Sequence, residues 1–335
     1  MMGLQPLERP QDIRVLGSLP ALLSLYGKAI TPNVGELAHK VGSLLPLGSA
    51  QPTVDASHNS LPEVTYVVRA INFDRTKLRE YQELVGFPKD DHVPAGFAHI
   101  TAFPVAMALM VSAQFPLHLL GMVHLANRIE VAQPLDASDV VDVVAWAQNL
   151  SGHPKGTSVE LVAEIHRGIE IVWRGTSTYL AKGKFLKGKG ETPTERAPFE
   201  PGFPTAQWEL GSGIGRAYAG VSGDVNPIHL SALSAKALGF PKAIAHGMYT
   251  ASRAFAQSPR TYGDSYVWTV EFAKPVLLPG KVAFASHTGD SAGVGADSAG
   301  LGAGKTLRGV EFVGWNARKA QLHFKGEIVP SPPHR

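Results

Sequence analysis

The sequence contains no cysteine among its 335 residues. This absence excludes disulfide bonds, thiolate nucleophiles and cysteine-held zinc or iron–sulfur sites. Long hydrophobic runs are also missing: no stretch of about 18 apolar residues occurs, so a helix that spans a membrane is not predicted. Positive charge is in small excess, with 31 lysines and arginines against 28 aspartates and glutamates. The net charge of +3 is too dispersed to predict nucleic-acid binding, although it is compatible with a small anionic partner.

The composition predicts a folded chain, because 44% of the residues are hydrophobic and only 18% are charged. The length predicts two domain-sized units, or one unit built twice. Residues 1–59 are predicted to form an N-terminal extension. Its apolar stretch 15–26 is predicted to be a helix over the edge of the core, because Glu8, Asp12 and Pro20 do not fit a signal peptide. We therefore predict a cytoplasmic protein.

From residue 60 onward, two segments of the chain follow the same plan. Each has a helical stretch, a Gly-Phe-Pro triplet, a second helical stretch and then several strands with alternating apolar residues. The predicted helices are 75–85 and 97–113 in the first copy, and 230–238 and 247–257 in the second. Alternation gives each sheet one buried and one exposed face, as is typical of antiparallel sheets. The predicted class is α+β, with a central helix wrapped by a curved antiparallel sheet in each copy.

The two copies are predicted to span 60–181 and 206–330, and a basic linker, 182–205, joins them. The linker has no periodic pattern and carries several lysines. Two interpretations are open: a solvated tether, or a segment whose lysines attract the phosphates of a carrier molecule.

Two glycine-rich segments do not support nucleotide binding. Segment 299–306 resembles a phosphate-binding loop, but Ala299 stands where its first glycine is required, and a strand pattern follows where a helix is required. The glycines of 211–215 have the wrong spacing for a dinucleotide-binding turn, and this segment is predicted to be a bend. Arg216 and Tyr218, which follow it, are predicted to be structural residues.

The most informative segment is 222–229, with the sequence Ser-Gly-Asp-Val-Asn-Pro-Ile-His. It places a carboxylate, an amide and an imidazole close together, at Asp224, Asn226 and His229. The proline at 227 has a fixed φ angle and keeps Asn226 out of helical geometry, so a rigid loop that enters a short helix is predicted. Further along, a helix is predicted to begin at His246-Gly247-Met248, so the Gly247 N–H is among the unpaired donors of a first helical turn.

These groups match the needs of one reaction type, the addition of water to, or its removal from, the carbon β to a thioester carbonyl. The reaction needs a positioned acid or base for the water and the α proton, which Asp224 and His229 can supply. It also needs a donor for the carbonyl oxygen as this becomes enolate-like. The Gly247 N–H can supply that donor, with the helix dipole behind it. Neither a metal ion nor a redox cofactor is required.

Residues 216–255 closely resemble the MaoC-like family of (R)-specific enoyl-CoA hydratases and (3R)-hydroxyacyl-thioester dehydratases. The match consists of the D-x-N-P-x-H motif at 224–229 and the Ala-His-Gly-Met element at 245–248, at the family's spacing. The resemblance implies a hot-dog fold for each copy, and a double hot-dog for the chain, with the two sheets joined in a pseudo-dimer. Only the second copy carries the motif, which implies one catalytic half and one non-catalytic half.

The resemblance also implies roles for single residues. Asp224 and His229 would activate the water, the Gly247 N–H would bind the thioester carbonyl, and Asn226 would orient the loop. Further candidates for substrate binding or orientation are His246, Met248 and Ser252. The expected substrates are (3R)-hydroxyacyl and trans-2-enoyl thioesters of coenzyme A or acyl carrier protein, as used in fatty-acid metabolism, with no metal and no other cofactor.

Two alternatives stay open at this point. An acyl-thioesterase of the same fold would release free thiol from saturated acyl-CoA, and a non-catalytic acyl-thioester-binding protein would be stabilised by its ligand without turnover. The Asn-Pro-x-His element favours the hydratase. The expected assembly is a monomeric pseudo-dimer or a homodimer, without nucleic acid and without a stable membrane span.

Overall fold

The structure is a computed structural model, and it describes residues 3–30, 59–191, 198–289 and 307–331. Segment 299–306, which resembles a phosphate-binding loop, lies outside these described residues, as does about half of the predicted N-terminal extension. Within them, the helices are α1 (Leu22–Ile30), α2 (Arg75–Val85), α3 (Ala95–Met110), α4 (Ile214–Ser222), α5 (Pro227–Leu230), α6 (Ala232–Ala237) and α7 (Gly247–Gln257).

Eleven strands form one large sheet, and β3 and β5 form a small second one. The order in the large sheet is β1-β2-β6-β7-β8-β4-β10-β13-β12-β11-β9, and all its pairs are antiparallel except β1 with β2. The strands are β1 (Asp12–Leu16), β2 (Val64–Asn72), β3 (His92–Val93), β4 (Met122–Val131), β5 (Leu135–Asp136), β6 (Val140–His153), β7 (Gly156–Arg167), β8 (Glu170–Lys182), β9 (Ala206–Leu210), β10 (Tyr266–Phe272), β11 (Gly280–Gly289), β12 (Gly309–Asn316) and β13 (Gln321–Pro330).

The strand order shows two equivalent halves that meet at a central pair. Strands β2-β6-β7-β8-β4 come from the first half, and β10-β13-β12-β11-β9 come from the second in mirrored order. The two sheets join where β4 runs antiparallel to β10, with Ile129 opposite Trp268. Helix α3 packs on β6 and β7, and α7 packs on β11 and β12. The predicted double hot-dog is therefore confirmed, while the exact domain boundaries given above stay predictions.

The two central helices differ in how fully they are enclosed. Helix α3 is apolar on all sides, and most of its residues are buried, as expected of a helix inside a wrapped sheet. Helix α7 is more polar and exposes Gln257 near its end. Helix α2, whose Leu78, Tyr81 and Val85 are part of the same core, begins where Asp74 accepts a hydrogen bond from the Lys77 N–H at 3.0 Å and ends at Gly86 with φ +92°.

Three local predictions are wrong. Stretch 15–26 is not one helix, because residues up to Leu16 pair with β2 and α1 begins only after Pro20. The bend predicted around 211–215 leads directly into α4, so Arg216 and Tyr218 lie on a helix. The predicted helix 230–238 is interrupted at Ser231, whose extended backbone and hydroxyl cap the start of α6.

Candidate active site

The loop between α4 and α5 is held by its own backbone and short side chains. Helix α4 ends at Gly223, whose φ of +72° is readily adopted only by glycine. The Asp224 N–H then donates to the Ser222 hydroxyl at 3.2 Å, and the Asn226 N–H donates to Asp224 Oδ1 at 3.2 Å. Asn226 Oδ1 in turn accepts from the Ile228 N–H at 3.4 Å at the start of α5. The Asn226 side chain thus caps the start of α5.

A glycine on α4 lets this loop pack closely against the helix. A Cβ atom at Gly215 would lie 2.1 Å from the carbonyl oxygen of His229, a distance that no side chain could accept. The absence of a side chain at this position therefore sets how near α5, and with it the His229 imidazole, approaches α4.

The structure brings the predicted histidines together. The rings of His229 and His246 stack with centroids 3.6 Å apart. His229 Nδ1 lies 2.9 Å from the carbonyl oxygen of Ile244, and because a carbonyl only accepts, Nδ1 carries the proton. His246 Nε2 donates in the same way to the Asp224 carbonyl oxygen at 3.0 Å. In the neutral ring, His229 Nε2 is therefore an unprotonated acceptor.

The Asp224 carboxylate has one occupied and one open oxygen. Oδ1 accepts hydrogen bonds from the Tyr26 hydroxyl and the Asn226 N–H. Oδ2 lies 3.7 Å from His246 Nε2, and 22% of the Asp224 side chain is exposed, within a cavity. Oδ2 is therefore the oxygen that can act on a bound molecule.

Burial and hydrogen bonding set the ionisation of this group. Burial lowers the pKa of His229 to about 3, with His246 acting in the same direction, so His229 is neutral near pH 7. Burial also lowers the pKa of His246. Burial raises the pKa of Asp224, but the two histidines and the hydrogen bonds from Tyr26 and the Asn226 N–H more than offset it, so the net pKa lies below the usual range. At neutral pH the site holds one carboxylate and two neutral imidazoles.

Helix α7 begins at Gly247, directly after His246. The first N–H groups of a helix have no intrahelical acceptor, so the Gly247 N–H is available to a ligand. The ring of Phe272 lies against this position, 3.0 Å from where a Cβ would be. Phe272 also lines the cavity.

The other two predicted residues on α7 differ in position. Met248 lines the cavity, and its Sδ accepts a hydrogen bond from Asn127 Nδ2 at 3.5 Å, which links α7 to β4 of the first half. Ser252 is completely buried and does not line the cavity. Among the described residues its hydroxyl has no hydrogen-bond partner. The structure therefore places Met248, but not Ser252, at the wall of the cavity.

A cavity of about 850 Å³ connects these groups. Its lining comes from both halves: the second half supplies the motif, and the first supplies apolar residues of α3 and β4, such as Phe103, Met110 and Met122. Lys155, Lys182 and Lys274 also line it and are exposed, which places them at its rim. The exposed Glu271 lies at this cavity as well, so its rim carries both signs of charge with lysine in excess.

The residues at this cavity that were not predicted from the sequence include Tyr26, His99, His124 and Tyr179. The His124 ring packs on Tyr179 with centroids 4.6 Å apart. Burial lowers the pKa of His99 to about 4 and that of His124 to about 3, so both are neutral at pH 7. No local sequence signal distinguishes these residues, because each comes from an element far from the motif.

A metal ion could also bind at this site, held by the side chains of Asp224, His229 and His246. One ligand atom each from Asp224, His229 and His246 lies within 4.8 Å of the others. The existing hydrogen bonds leave His229 Nε2, His246 Nδ1 and Asp224 Oδ2 for such a role. That the reaction needs no metal therefore stays a prediction.

Comparisons with known proteins agree with this geometry. The MaoC like domain matches residues 211–299, which include the whole motif. The 3-hydroxyacyl-thioester dehydratase X of Mycobacterium tuberculosis (strain ATCC 25618 / H37Rv) is 33% identical over 233 residues, which cover 69% of this chain and 83% of that protein. The chain belongs to the MaoC-like dehydratase family. The family predicted from residues 216–255 is confirmed.

Solved structures of MaoC-like proteins share the fold. The crystal structure of HtdX from Mycobacterium tuberculosis matches with a TM-score of 0.66 and 28% identity, over 80% of this chain and 100% of that chain. A MaoC-like dehydratase from Phytophthora capsici matches with a TM-score of 0.54 and 20% identity, over 83% and 98% of the two chains, which shows the fold alone. Within the described part of this MaoC-like chain, no helix has the length and apolar character needed to cross a membrane.

Proposed function

We propose that this MaoC-like protein is a hydro-lyase that interconverts (3R)-hydroxyacyl thioesters and trans-2-enoyl thioesters. The observation that carries the proposal is the convergence of Asp224 and His229 on a cavity beside the first N–H groups of α7. The name of the Mycobacterium tuberculosis relative, a 3-hydroxyacyl-thioester dehydratase, supports the same reaction.

The proposed hydration uses only groups of the chain. The water oxygen bonds to Cβ, one water proton passes to Asp224 Oδ2 or His229 Nε2, and the electron pair of the Cα=Cβ bond moves toward the thioester carbonyl. The Gly247 N–H donates to that carbonyl oxygen as its negative charge grows. Cα then takes the proton back from the same base, so the enzyme ends unchanged. Dehydration runs through the same steps in reverse.

The ionisation of the site fits this mechanism. A base must be unprotonated at the working pH, and both Asp224 and His229 have lowered pKa values. The N–H on His229 Nδ1 is held by the Ile244 carbonyl, which fixes the ring with Nε2 as the reactive nitrogen. We assign the positioning of the loop to Asn226, and contact with the thioester to His246 and Met248.

We further propose that the substrate is carried on coenzyme A or on the phosphopantetheine of acyl carrier protein. Both carriers bear phosphates, and the three exposed lysines at the rim, Lys155, Lys182 and Lys274, are complementary in charge.

The first half would serve to complete the acyl cavity rather than to catalyse. We place the enzyme in the cytoplasm, as a pseudo-dimer that already contains the pairing which single hot-dog domains obtain by dimerising.

The test uses trans-2-enoyl thioesters of graded chain length, each prepared on coenzyme A and on acyl carrier protein. We expect the conjugated enoyl absorbance to fall on mixing with the enzyme, and chiral analysis to show the 3R product. Free thiol is measured in parallel with saturated acyl-CoA. Thiol release without loss of enoyl absorbance would overturn the proposal in favour of a thioesterase, and binding without either signal would favour a non-catalytic acyl-thioester-binding protein.

A further inference from the structure

Tyr26 reaches the catalytic motif from outside both hot-dog halves. It lies on α1, in the segment before the first half, and 198 positions separate it from Asp224. We propose that Tyr26 is a positioning residue that holds the Asp224 carboxylate with Oδ2 turned toward the substrate. This inference rests on the proposed function of Asp224 as a base.

The hydrogen bonds at Asp224 assign different tasks to its two oxygens. The Tyr26 hydroxyl and the Asn226 N–H both donate to Oδ1. His246 Nε2 lies 3.7 Å from Oδ2, and that nitrogen already donates to a backbone carbonyl. With Oδ1 held by two donors, rotation of the carboxylate costs two hydrogen bonds, and Oδ2 stays free to accept a proton.

Helix α1 is docked directly on the turn that precedes Asp224. Leu22, Leu25 and Tyr26 are buried on one face of α1, whereas Leu23 on the other face is 73% exposed. The Leu22 side chain lies 2.9 Å from where a Cβ would be at Gly223, so the missing side chain of that glycine makes room for α1. Tyr26 also lines the cavity, so α1 forms part of the wall around the motif.

The charge state of Tyr26 suits a permanent donor. Burial and the neighbouring Asp224 carboxylate raise the pKa of the Tyr26 hydroxyl well above its ordinary value, so it stays protonated wherever Asp224 is ionised. Loss of this donor removes one of the influences that lower the pKa of Asp224. The titratable groups that act on Asp224 or are acted on by it come from several elements, namely Tyr26 on α1, His99 on α3, His124 on β4, Tyr179 on β8, Tyr218 on α4, His229 on α5 and His246 before α7.

The test compares Tyr26→Phe with Tyr66→Phe. Tyr66 is a matched control, because its buried ring lies on β2 and its hydroxyl accepts from Arg14 of the same N-terminal segment at 3.2 Å, without lining the cavity. In Tyr26→Phe we expect kcat to fall about tenfold or more while KM changes by less than about twofold, since a hydrogen bond to a charged group is lost. The acid limb of the kcat–pH profile should move to higher pH, because Asp224 becomes easier to protonate. Tyr66→Phe should change neither quantity.

A second measurement separates this inference from the proposed function. Titration of the Asp224 side-chain carbon by NMR in the wild type and in Tyr26→Phe reports the pKa of the carboxyl without any substrate, and we expect a higher pKa in the variant. If the wild type is inactive but this pKa shift occurs, the proposed hydratase function is refuted, whereas the hydrogen bond between Tyr26 and Asp224 is supported. An active wild type in which Tyr26→Phe leaves kcat, the acid limb and the NMR titration unchanged would overturn the role of Tyr26.

Discussion

The His229 and His246 rings stack with centroids 3.6 Å apart. Each ring also donates a hydrogen bond to a backbone carbonyl of the segment that carries the other ring. His229 Nδ1 donates to the carbonyl of Ile244, two residues before His246, and His246 Nε2 donates to the carbonyl of Asp224, within the loop that precedes His229. This reciprocal pair of hydrogen bonds holds the two sequence motifs against each other, so that each motif fixes the orientation of the other's imidazole.

The first prediction concerns the charge on Asp224. Asp224→Asn keeps the shape of the side chain and an oxygen that can accept from Tyr26, but it removes the proton acceptor. We expect kcat to fall by about 10²- to 10⁴-fold, the usual contribution of a general base, with the far-UV circular dichroism unchanged. The assay is the loss of enoyl absorbance.

Asp91→Asn is the matched control for this variant. Asp91 is a partly exposed aspartate that pairs with Arg75 at 3.2 Å and with Arg79, and it does not line the cavity. It should retain the wild-type rate. A rate for Asp224→Asn within about threefold of the control would contradict a catalytic carboxylate, because about 1.4 kcal/mol of barrier already corresponds to tenfold.

The sequence could predict the local part of this site and not the remote part. The loop 224–229 follows from its own residues, because Pro227 and the short polar side chains fix its conformation. Tyr26 could not be predicted, since it lies outside the repeat and only the docking of α1 brings it to Asp224. His124 and Tyr179 come from the other half, and periodicity shows which face of a strand is buried but not which element covers that face.

Local helix signals are weak in α4, where the sequence predicts a bend. Helix α4 contains Gly215 and Gly220, and glycine disfavours helices by roughly 1 kcal/mol relative to alanine. The segment is helical because its buried face, including Tyr218 and Val221, packs into the core. Gly215 is required there for the close approach of His229 and not for flexibility. Tertiary contacts thus decided a structure that the residue types alone did not indicate.

The second prediction is that stability falls as the pH drops from 7 to 5. The folded pKa values of His229, His99 and His124 are about 3, 4 and 3, below the ordinary 6.5 of an unfolded chain. Between these values the unfolded chain binds more protons, so this contribution to stability is complete above pH 6.5 and is lost as the pH falls toward the folded values. Each histidine contributes at most about 1.4 kcal/mol per pH unit in this range.

The measurement for this prediction is the thermal unfolding midpoint at several pH values. The double variant His99→Asn with His124→Asn should show a shallower dependence on pH than the wild type. Replacement of the exposed His118 by Asn is the control and should leave the slope unchanged. Equal slopes for the double variant and the wild type would show that these two histidines are not held neutral by the fold.

The third prediction is that removal of metal ions leaves the activity unchanged. The proposed steps need a carboxylate, an imidazole and a helix N–H, although Asp224, His229 and His246 could bind a cation. Enzyme dialysed against EDTA and assayed in metal-free buffer should keep its full rate, with its metal content checked by mass spectrometry. A rate that falls on dialysis and returns when Zn²⁺ is added would establish a metal-dependent reaction instead.

The fourth prediction concerns the space at the start of α7. In Gly247→Ala, the new methyl group would lie about 3.0 Å from the Phe272 ring, so either this ring or the start of α7, which carries the Gly247 N–H, must shift. Because the thioester carbonyl would bind at that N–H, we expect kcat/KM to fall about tenfold or more while the protein stays folded. Gly220→Ala is the control, since a Cβ there meets nothing within 4 Å, and it should be neutral or slightly stabilising. Combining Gly247→Ala with Phe272→Leu should restore part of the lost rate, and no recovery in that double variant would show that displacement of Phe272 is not the cause.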